Sequence, residues 1–563
     1  MNKKKILSMV TVATLMTSTA LIGCGTKNES ASKDSASKSG VKMDKDQYLN
    51  INLGTEVKTL DPSIATDTYG SFILTETMEG LTRLEQDENG KDVVKPAGAE
   101  KWEHNEDGTV WTFHLRNYKW SDGKPVTAGD FVYSMQRTLT PETGAGYANL
   151  LYTIKNGKAI NEGKAKPETL GAKAIDDKTL ELTLEEPCPY FFQITYNKTL
   201  MPQRKDIVEK NGSKYGTEAN TMVYCGPFTL KGWTHNSEMA LEKNKEYWDK
   251  DNVKLDKVTC KIIKDEVAAY NSLYSGALDL GGASKKEWIQ KFDQTGKYNK
   301  IQGYRPGADY VFFNTKNEVF KNANVRKAFS IGIDRKDLCE VIFKGRENPA
   351  TGWVPPTVAV NDKEFRKEAG SPVDDLIKDN PDPKALLSKG LKELGMDEDP
   401  SKLTVTFLQS GTSQWNRTYA EYLQQMYKRT LGVNIKAEYV DWPVFQKKTD
   451  EGDYAIASQF MSGDYNDPNT FVDGFISASA YIPTFWKNDE YDKLTTEAQK
   501  IMDPQKRLEN YKKAERILVY DDAAVAPTAF PTRNTYVYKY VKGLMTPLFG
   551  SNELKYVYTD GRN

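Results

Sequence analysis

The sequence predicts an α/β fold, and three stretches whose apolar residues switch between alternating and helical spacing predict it. The strongest covers residues 402 to 464. KLTVTFL alternates Leu403, Val405 and Phe407 as a strand. WNRTYAEYLQQMYKRTL then places Trp415, Tyr419, Tyr422, Met426 and Leu431 near helical spacing, and VNIKAEYV alternates again through Val433, Ile435, Ala437 and Tyr439. Gly432 suits the left-handed residue that ends such a helix. Strand, helix, strand implies a right-handed crossover between parallel strands. Asp441 can cap a further short helix, with Pro443 in its first turn, that ends near Gly452 before the strand DYAIASQF. Asp464 then lies just past the carboxyl end of a strand, where ligands of α/β sheets bind.

The other two stretches precede it. LNINLGTEVKTLDPSIATDTYG opens with a strand alternating Leu49, Ile51 and Leu53, turns at Asp61-Pro62, and leads into a helical run toward Met78. AEKWEHNEDGTVWTFHLRNYKWSDGKPVTAGDFVYSMQRTL holds a hairpin turn at Asp107-Gly108 and a second turn at Asp122-Gly123. Thr127 followed by Asp130 resembles a capping box opening a helix.

The N-terminus MNKKKILSMVTVATLMTSTALIGC has a basic start, an apolar middle and a small residue before a cysteine, the pattern of an export signal. A membrane-spanning helix is the alternative, but serine and threonines interrupt the run from Ile6 to Ile22 and polar sequence follows it. LIGC resembles the lipobox of bacterial lipoproteins, with Ile22 a mild departure. That resemblance makes Cys24 the mature first residue, carrying a diacylglyceryl anchor whose two acyl chains give stable attachment. Residues 24–45 lack the apolar content to fold and read as a disordered tether.

Behind the tether, the length of 563 residues allows several domains with large cores. Charge is balanced, 77 Lys+Arg against 78 Asp+Glu, and loss of Lys3, Lys4 and Lys5 with the signal leaves a net −4. That balance argues against a nucleic-acid partner. Cys188, Cys225, Cys260 and Cys339 are widely spaced and read as buried free thiols, since a chain this long needs no disulfide to fold.

Only three histidines occur, His104, His114 and His235. Histidine is the commonest general base and transition-metal ligand, so the scarcity weighs against both roles. His114 falls on the polar face of the strand VWTFHLR, His104 beside the turn NEDG, and His235 after Trp233 with no acidic partner at ligand spacing. HExxH, GxSxG and phosphate-loop motifs are absent from the sequence. The expectation is a binding protein, not an enzyme, with no metal and no cofactor.

WTFHLRNYKWSDGKPVTAGDFVYS, GTEVKTLDPSIATDTYG, YANLLYTI, NTKNEVFKNANVRKAFSIGIDRKDL and FMSGDYNDPNTF resemble the extracellular solute-binding proteins of peptide ABC importers, and most closely their oligopeptide-binding branch. The likeness extends from about Leu49 to the C-terminus. It implies a periplasmic-binding-protein-like type II fold, in which two lobes and an extra third domain close by a hinge over an extended peptide. The implied boundaries are 1–23 for the signal, 24–45 for the tether, and 46–78, 203–305 and 533–563 for lobe I. Residues 79–202 would form the extra domain and 306–532 lobe II. The implied partners are a short peptide, the importer's permease and its ATPase subunits, and the membrane through the lipid anchor. The body would be a monomer at the extracellular face.

The resemblance also assigns residues. An aspartate at the position of Asp464, in the same GDYxDP context, pairs with the peptide's α-ammonium in that family; Asp467 reads as the turn residue. A calcium loop counted from Asp464 would put Phe475 where a glutamate is needed and Pro468 where a small polar ligand is needed. Trp442 matches a pocket-lining tryptophan and Tyr147 a tyrosine near the peptide, both of which also suit an ordinary core. Ser462 and Gly463 would offer backbone groups to the peptide. Met461 stands where some members have tryptophan, giving a softer wall. Basic residues that meet the peptide carboxylate in some relatives fall at Thr449 and Ser458, leaving Arg417, Lys447 or Lys448 as substitutes. The alternatives within the binding class are receptors for dipeptides, a signalling peptide or a nickel chelate. From another class, a secreted hydrolase would use Asp464 and Asp467.

Overall fold

The computed structural model describes residues 42–478 and 480–562. The predicted signal, Cys24 and the tether to residue 41 lie outside the described residues. The folded body begins slightly before the predicted boundary at residue 46. The Asp44 carboxylate accepts the backbone N–H groups of Gly561 at 2.8 Å and Arg562 at 3.2 Å, a pairing with the far end of the chain that local composition does not reveal.

Two four-stranded sheets come from the N-terminal half. In the first, Tyr48–Asn52 runs parallel to Lys257–Lys261, followed by Glu238–Lys243 and Phe228–Thr234. Its predicted alternation holds, with Leu49, Ile51 and Leu53 all buried. The second orders Ala99–His104, Val110–Leu115, Thr179–Thr183 and Ala172–Asp176, antiparallel throughout. Trp111, Phe113 and Leu115 face the core, and His114 faces outward beside Glu103 at 2.9 Å. Gly108, at φ +71°, makes the turn between the first two of these strands. The predicted helix follows as Ala128–Leu139, where the Asp130 carboxylate accepts the N–H of Thr127 at 2.9 Å.

The third sheet has eight strands and places the site. Its main path orders Leu280–Gly282, Val525–Tyr538, Gly307–Phe313, Ile456–Ser462, Thr404–Ser410 and Asn434–Val440. The predicted crossover is present: Thr404–Ser410 and Asn434–Val440 are parallel, joined by the helix Gln414–Thr430, with Gly432 at φ +82° just past its end. Val525–Tyr538 pairs with Gly307–Phe313 through its first half and with Tyr298–Tyr304 through its second, so one 14-residue strand runs through the whole sheet. Both faces are covered. Tyr310 and Phe312 enter one apolar cluster with Trp353 and Phe475, while Val311 and Phe313 enter another with Phe329, Phe407 and Leu423. A strand buried on both faces reads as the continuous apolar run YVFF.

Two details depart from the sequence expectation. Tyr419, Met426 and Leu431 are buried as expected, but Trp415 is 45 % exposed, because it sits in the helix's first turn beyond the reach of the core. Asp441 does precede the helix Trp442–Glu451 and Pro443 lies in its first turn, yet the Asp441 side chain makes no capping bond. The four cysteines are buried free thiols.

Candidate ligand-binding site

The strand Ile456–Ser462 pairs along its whole length with Gly307–Phe313, but with Thr404–Ser410 only at Ile456 and Ala457. From Ser458 to Ser462 its other edge pairs with no strand among the described residues. Gly463 then turns the chain, donating its N–H to the Pro306 carbonyl at 2.8 Å. A Cβ at this position would stand 2.8 Å from the Phe471 ring and 3.0 Å from Phe549, so the close approach requires glycine.

The turn after Gly463 separates its two aspartates. Asp467 is buried, accepts the N–H of Asn469 at 3.0 Å, and takes Arg507 Nη2 on both oxygens at 2.9 Å. Asp464 donates its backbone N–H to Thr470 Oγ1 at 3.1 Å, while its carboxylate accepts no hydrogen bond and joins no ion pair among the described residues. Burial pushes that carboxyl up to about 6, with Lys198 opposing the shift. A half-buried carboxylate with no partner of its own is suited to a cation from elsewhere.

Asp464 lines a cavity of about 470 Å³ with Tyr147, Met461, Ser462, Asp473 and Tyr481. Burial pushes Asp473 up to about 7, against a hydrogen bond from the Tyr481 hydroxyl at 2.9 Å. An adjoining cavity of about 400 Å³ shares Tyr147, Ser462 and Asp464 and adds Gly463, Lys198 and Arg305. Lys198 lies over the Tyr147 ring, 4.6 Å from its centroid, and burial lowers its amine while Asp464 raises it. Five of the six singled-out binding residues thus converge on two joined cavities.

The sequence model of the bacterial extracellular solute-binding proteins, family 5, matches residues 93–482. The chain belongs to this family. It is 36 % identical over 540 residues to the dipeptide-binding protein DppE of Bacillus subtilis, covering 95 % of this chain and 96 % of the relative. It is 34 % identical over 549 residues to the oligopeptide-binding protein OppA of the same organism, covering 96 % of each. The solved structure of Listeria monocytogenes OppA bound to peptide superposes with a TM-score of 0.74 at 31 % identity, covering 92 % of this chain and 99 % of that one. The fold is the family's multi-domain type II arrangement.

The sixth residue lies elsewhere in this family-5 protein. Trp442 lines a separate cavity of about 410 Å³ with Trp415, Tyr419, Ser458, Phe460 and Asp309. The basic substitutes are occupied: Lys448 pairs with Glu438 at 3.1 Å, Lys447 with Glu451 at 3.9 Å, and Arg417 lies over the Tyr439 ring. Lys198, Asp473 and Tyr481 were not legible as site residues, since KTL and FVDGF read as ordinary turn and helix sequence. His235 does have acidic partners, Glu56 on Nδ1 at 2.8 Å and Glu218 on Nε2 at 3.2 Å, brought in from distant segments. They take opposite ring nitrogens and so bridge the ring; among the described residues no three His, Cys, Asp or Glu side chains form a metal-binding group.

Proposed function

We propose that this solute-binding protein captures short peptides outside the cell by their α-ammonium at Asp464 and delivers them to an ABC importer's permease and its ATPase subunits. The carrying observation is the contrast within one turn: Asp467 is fully paired, and Asp464, five residues' length of open strand edge beside it, is not. An extended peptide adds to such an edge through main-chain hydrogen bonds common to all sequences, and roomy cavities accept varied side chains. In this reading Tyr147, Met461, Ser462 and Gly463 line the peptide, binding is by hinge closure without chemistry, and the body works as a monomer. Lobe I (46–78, 203–305, 533–563), the extra domain (79–202) and lobe II (306–532) are the moving parts. The lipid anchor at Cys24 and its tether hold the protein at the cell surface.

The name of the 36 % identical relative favours a dipeptide receptor as the second reading. The open edge from Ser458 to Ser462 is longer than two residues and favours oligopeptides. Mass spectrometry of small molecules released on denaturing the purified protein tests the cargo: a ladder of peptides of three or more residues is expected, dipeptides alone would favour the second reading, and a non-peptide species would overturn both. For the anchor, Asp464→Asn and N-acetylation of the peptide should each weaken binding by about tenfold or more, the size of a charge-assisted contact. Unchanged affinity by calorimetry in both would refute the assignment.

A further inference from the structure

Lys91 and Asp362 line neither of the cavities around Asp464, yet they join the structures that stand behind the walls of those cavities. Lys91 Nζ lies 2.5 Å from Asp362 Oδ1, and both side chains stand in water, 53 % and 91 % exposed. Each sits at the tip of a hairpin. Lys91 ends the turn between Thr82–Gln86 and Asp92–Pro96, where its backbone N–H and that of Asn89 each donate to the Asp87 carboxylate at 2.9 Å. Asp362 is the second residue of a two-residue turn between Ala359–Val360 and Lys363–Glu364, following Asn361 at φ +52°. The backbone under both charges is thus fixed, which lowers the ordering cost of pairing them.

Both hairpins are tied to the ligand site, one from each wall. Asp92, next to Lys91, accepts the backbone N–H of Leu548 at 2.6 Å and of Phe549 at 3.4 Å, and Gln86 accepts that of Thr546 at 2.8 Å. The segment so held, residues 547–552, walls a cavity that contains Asp464. On the other side, Ala359 donates its N–H to Asn466 Oδ1 at 2.9 Å, two residues past Asp464. Lys363 Nζ donates to Gln505 Oε1 at 2.7 Å, on the helix Pro504–Arg516 whose Arg507 holds Asp467. The ion pair therefore links the segment behind one wall to the turn that carries Asp464.

We propose that Lys91 and Asp362 form a clasp that closes with the lobes and breaks when they part, so that it raises peptide affinity without touching peptide. The assignment rests on the closure reading above, in which Lys91 moves with the extra domain and Asp362 with lobe II. A contact made only in the closed arrangement adds to its population, and the apparent affinity of a ligand rises with the fraction of protein in the binding-competent form. Exposed pairs are individually weak, worth a factor of about 1.5 to 5 in an equilibrium constant. A factor of that size tunes how long a peptide is held.

The test is a charge-reversal cycle on the intact mature protein, read by calorimetry and by the dissociation rate of hexa-alanine at low ionic strength. Lys91→Glu and Asp362→Lys should each weaken binding about three- to fivefold and speed release by a similar factor. The double reversal restores an opposite pair and should return to within about twofold of wild type. These differences should shrink at about 0.5 M salt, where exposed charges are screened. Lys91→Gln and Asp362→Asn remove the pair without adding repulsion and should each cost about twofold, which keeps the question decidable where a reversal misfolds. Single variants that bind hexa-alanine like wild type, or a double reversal no tighter than the singles, would overturn the clasp and leave peptide capture at Asp464 standing. Hexa-alanine binding to none of the proteins, wild type included, would overturn the clasp together with the peptide reading.

Discussion

At the scale of single residues, titration separates Asp464 from an ordinary surface aspartate. Its carboxyl is held at about 6 by burial, well above the usual carboxylate range, and only the ionised form attracts an ammonium. Peptide affinity should therefore be highest near pH 7.5 and fall on acidification, approaching about tenfold for each unit below 6, as the proton competes with the peptide. Asp473, held at about 7 in the same cavity, gains its proton over the same range and removes a second negative charge, which steepens the fall. Burial lowers the Lys198 amine while Asp464 raises it, and Lys198 in turn opposes protonation of Asp464. Binding near pH 6 should release a proton, because the incoming ammonium favours ionised Asp464; calorimetry in buffers of different ionisation enthalpy reads this directly. An affinity constant from pH 5 to 7.5 would refute the contact. The place of Asp464 just past the end of a strand could be read from the sequence pattern, and its ammonium role only from the family resemblance. Asp473 and Lys198 could not, because only the folded chain brings them to it.

At the scale of elements, the turn that carries Asp464 is fixed by a buried ion pair to the helix Pro504–Arg516. Arg507 is 1 % exposed, holds both oxygens of Asp467 and donates from Nε to the Ala498 carbonyl at 2.9 Å. Removing one partner of such a pair leaves the other charged and unsatisfied, at a cost of about 3–5 kcal/mol. Arg507→Leu should lower the free energy of unfolding by about that amount, read as a lower denaturation midpoint, and weaken peptide binding, although residue 507 touches no cavity containing Asp464. The double change Arg507→Leu with Asp467→Leu should recover part of the stability, since it removes the orphaned charge. A single variant as stable as wild type would show that the turn holds itself. The strand–helix–strand unit around this turn was legible because its apolar period switches from two to 3.6 and back. The Arg507 pairing was not, since an arginine within PQKRLENYKK reads as one more solvated charge. Trp415 misled for a related reason: helical spacing gives the face of a residue but not whether the core extends to its end of the helix.

At the scale of the whole molecule, Asp464 comes from one part of the chain, and Tyr147 and Lys198 from another, and together they wall one pair of cavities. Tyr190 stacks on Tyr465 at 5.1 Å, and Lys500 pairs with Glu186 at 2.6 Å across the same divide. An exposed pair of the latter kind contributes ~0–1 kcal/mol, so direct contacts of this type hold the two walls together weakly. A ligand can favour the closed arrangement only by contacts it makes there and not in the open one. A peptide bridging Asp464 on one side and Tyr147 on the other, as proposed, would have that differential affinity, while the continuous strand Val525–Tyr538 pairs with Gly307–Phe313 in its first half and with Tyr298–Tyr304 in its second. Small-angle scattering should therefore show a smaller radius of gyration on adding a saturating peptide to the wild-type protein. Asp464→Asn at the same peptide concentration should stay near the ligand-free value and contract only when the peptide is raised about tenfold. A wild-type radius unchanged at saturation, with calorimetry proving the site full, would mean that the cavities are preformed and that peptide enters without any movement of the lobes.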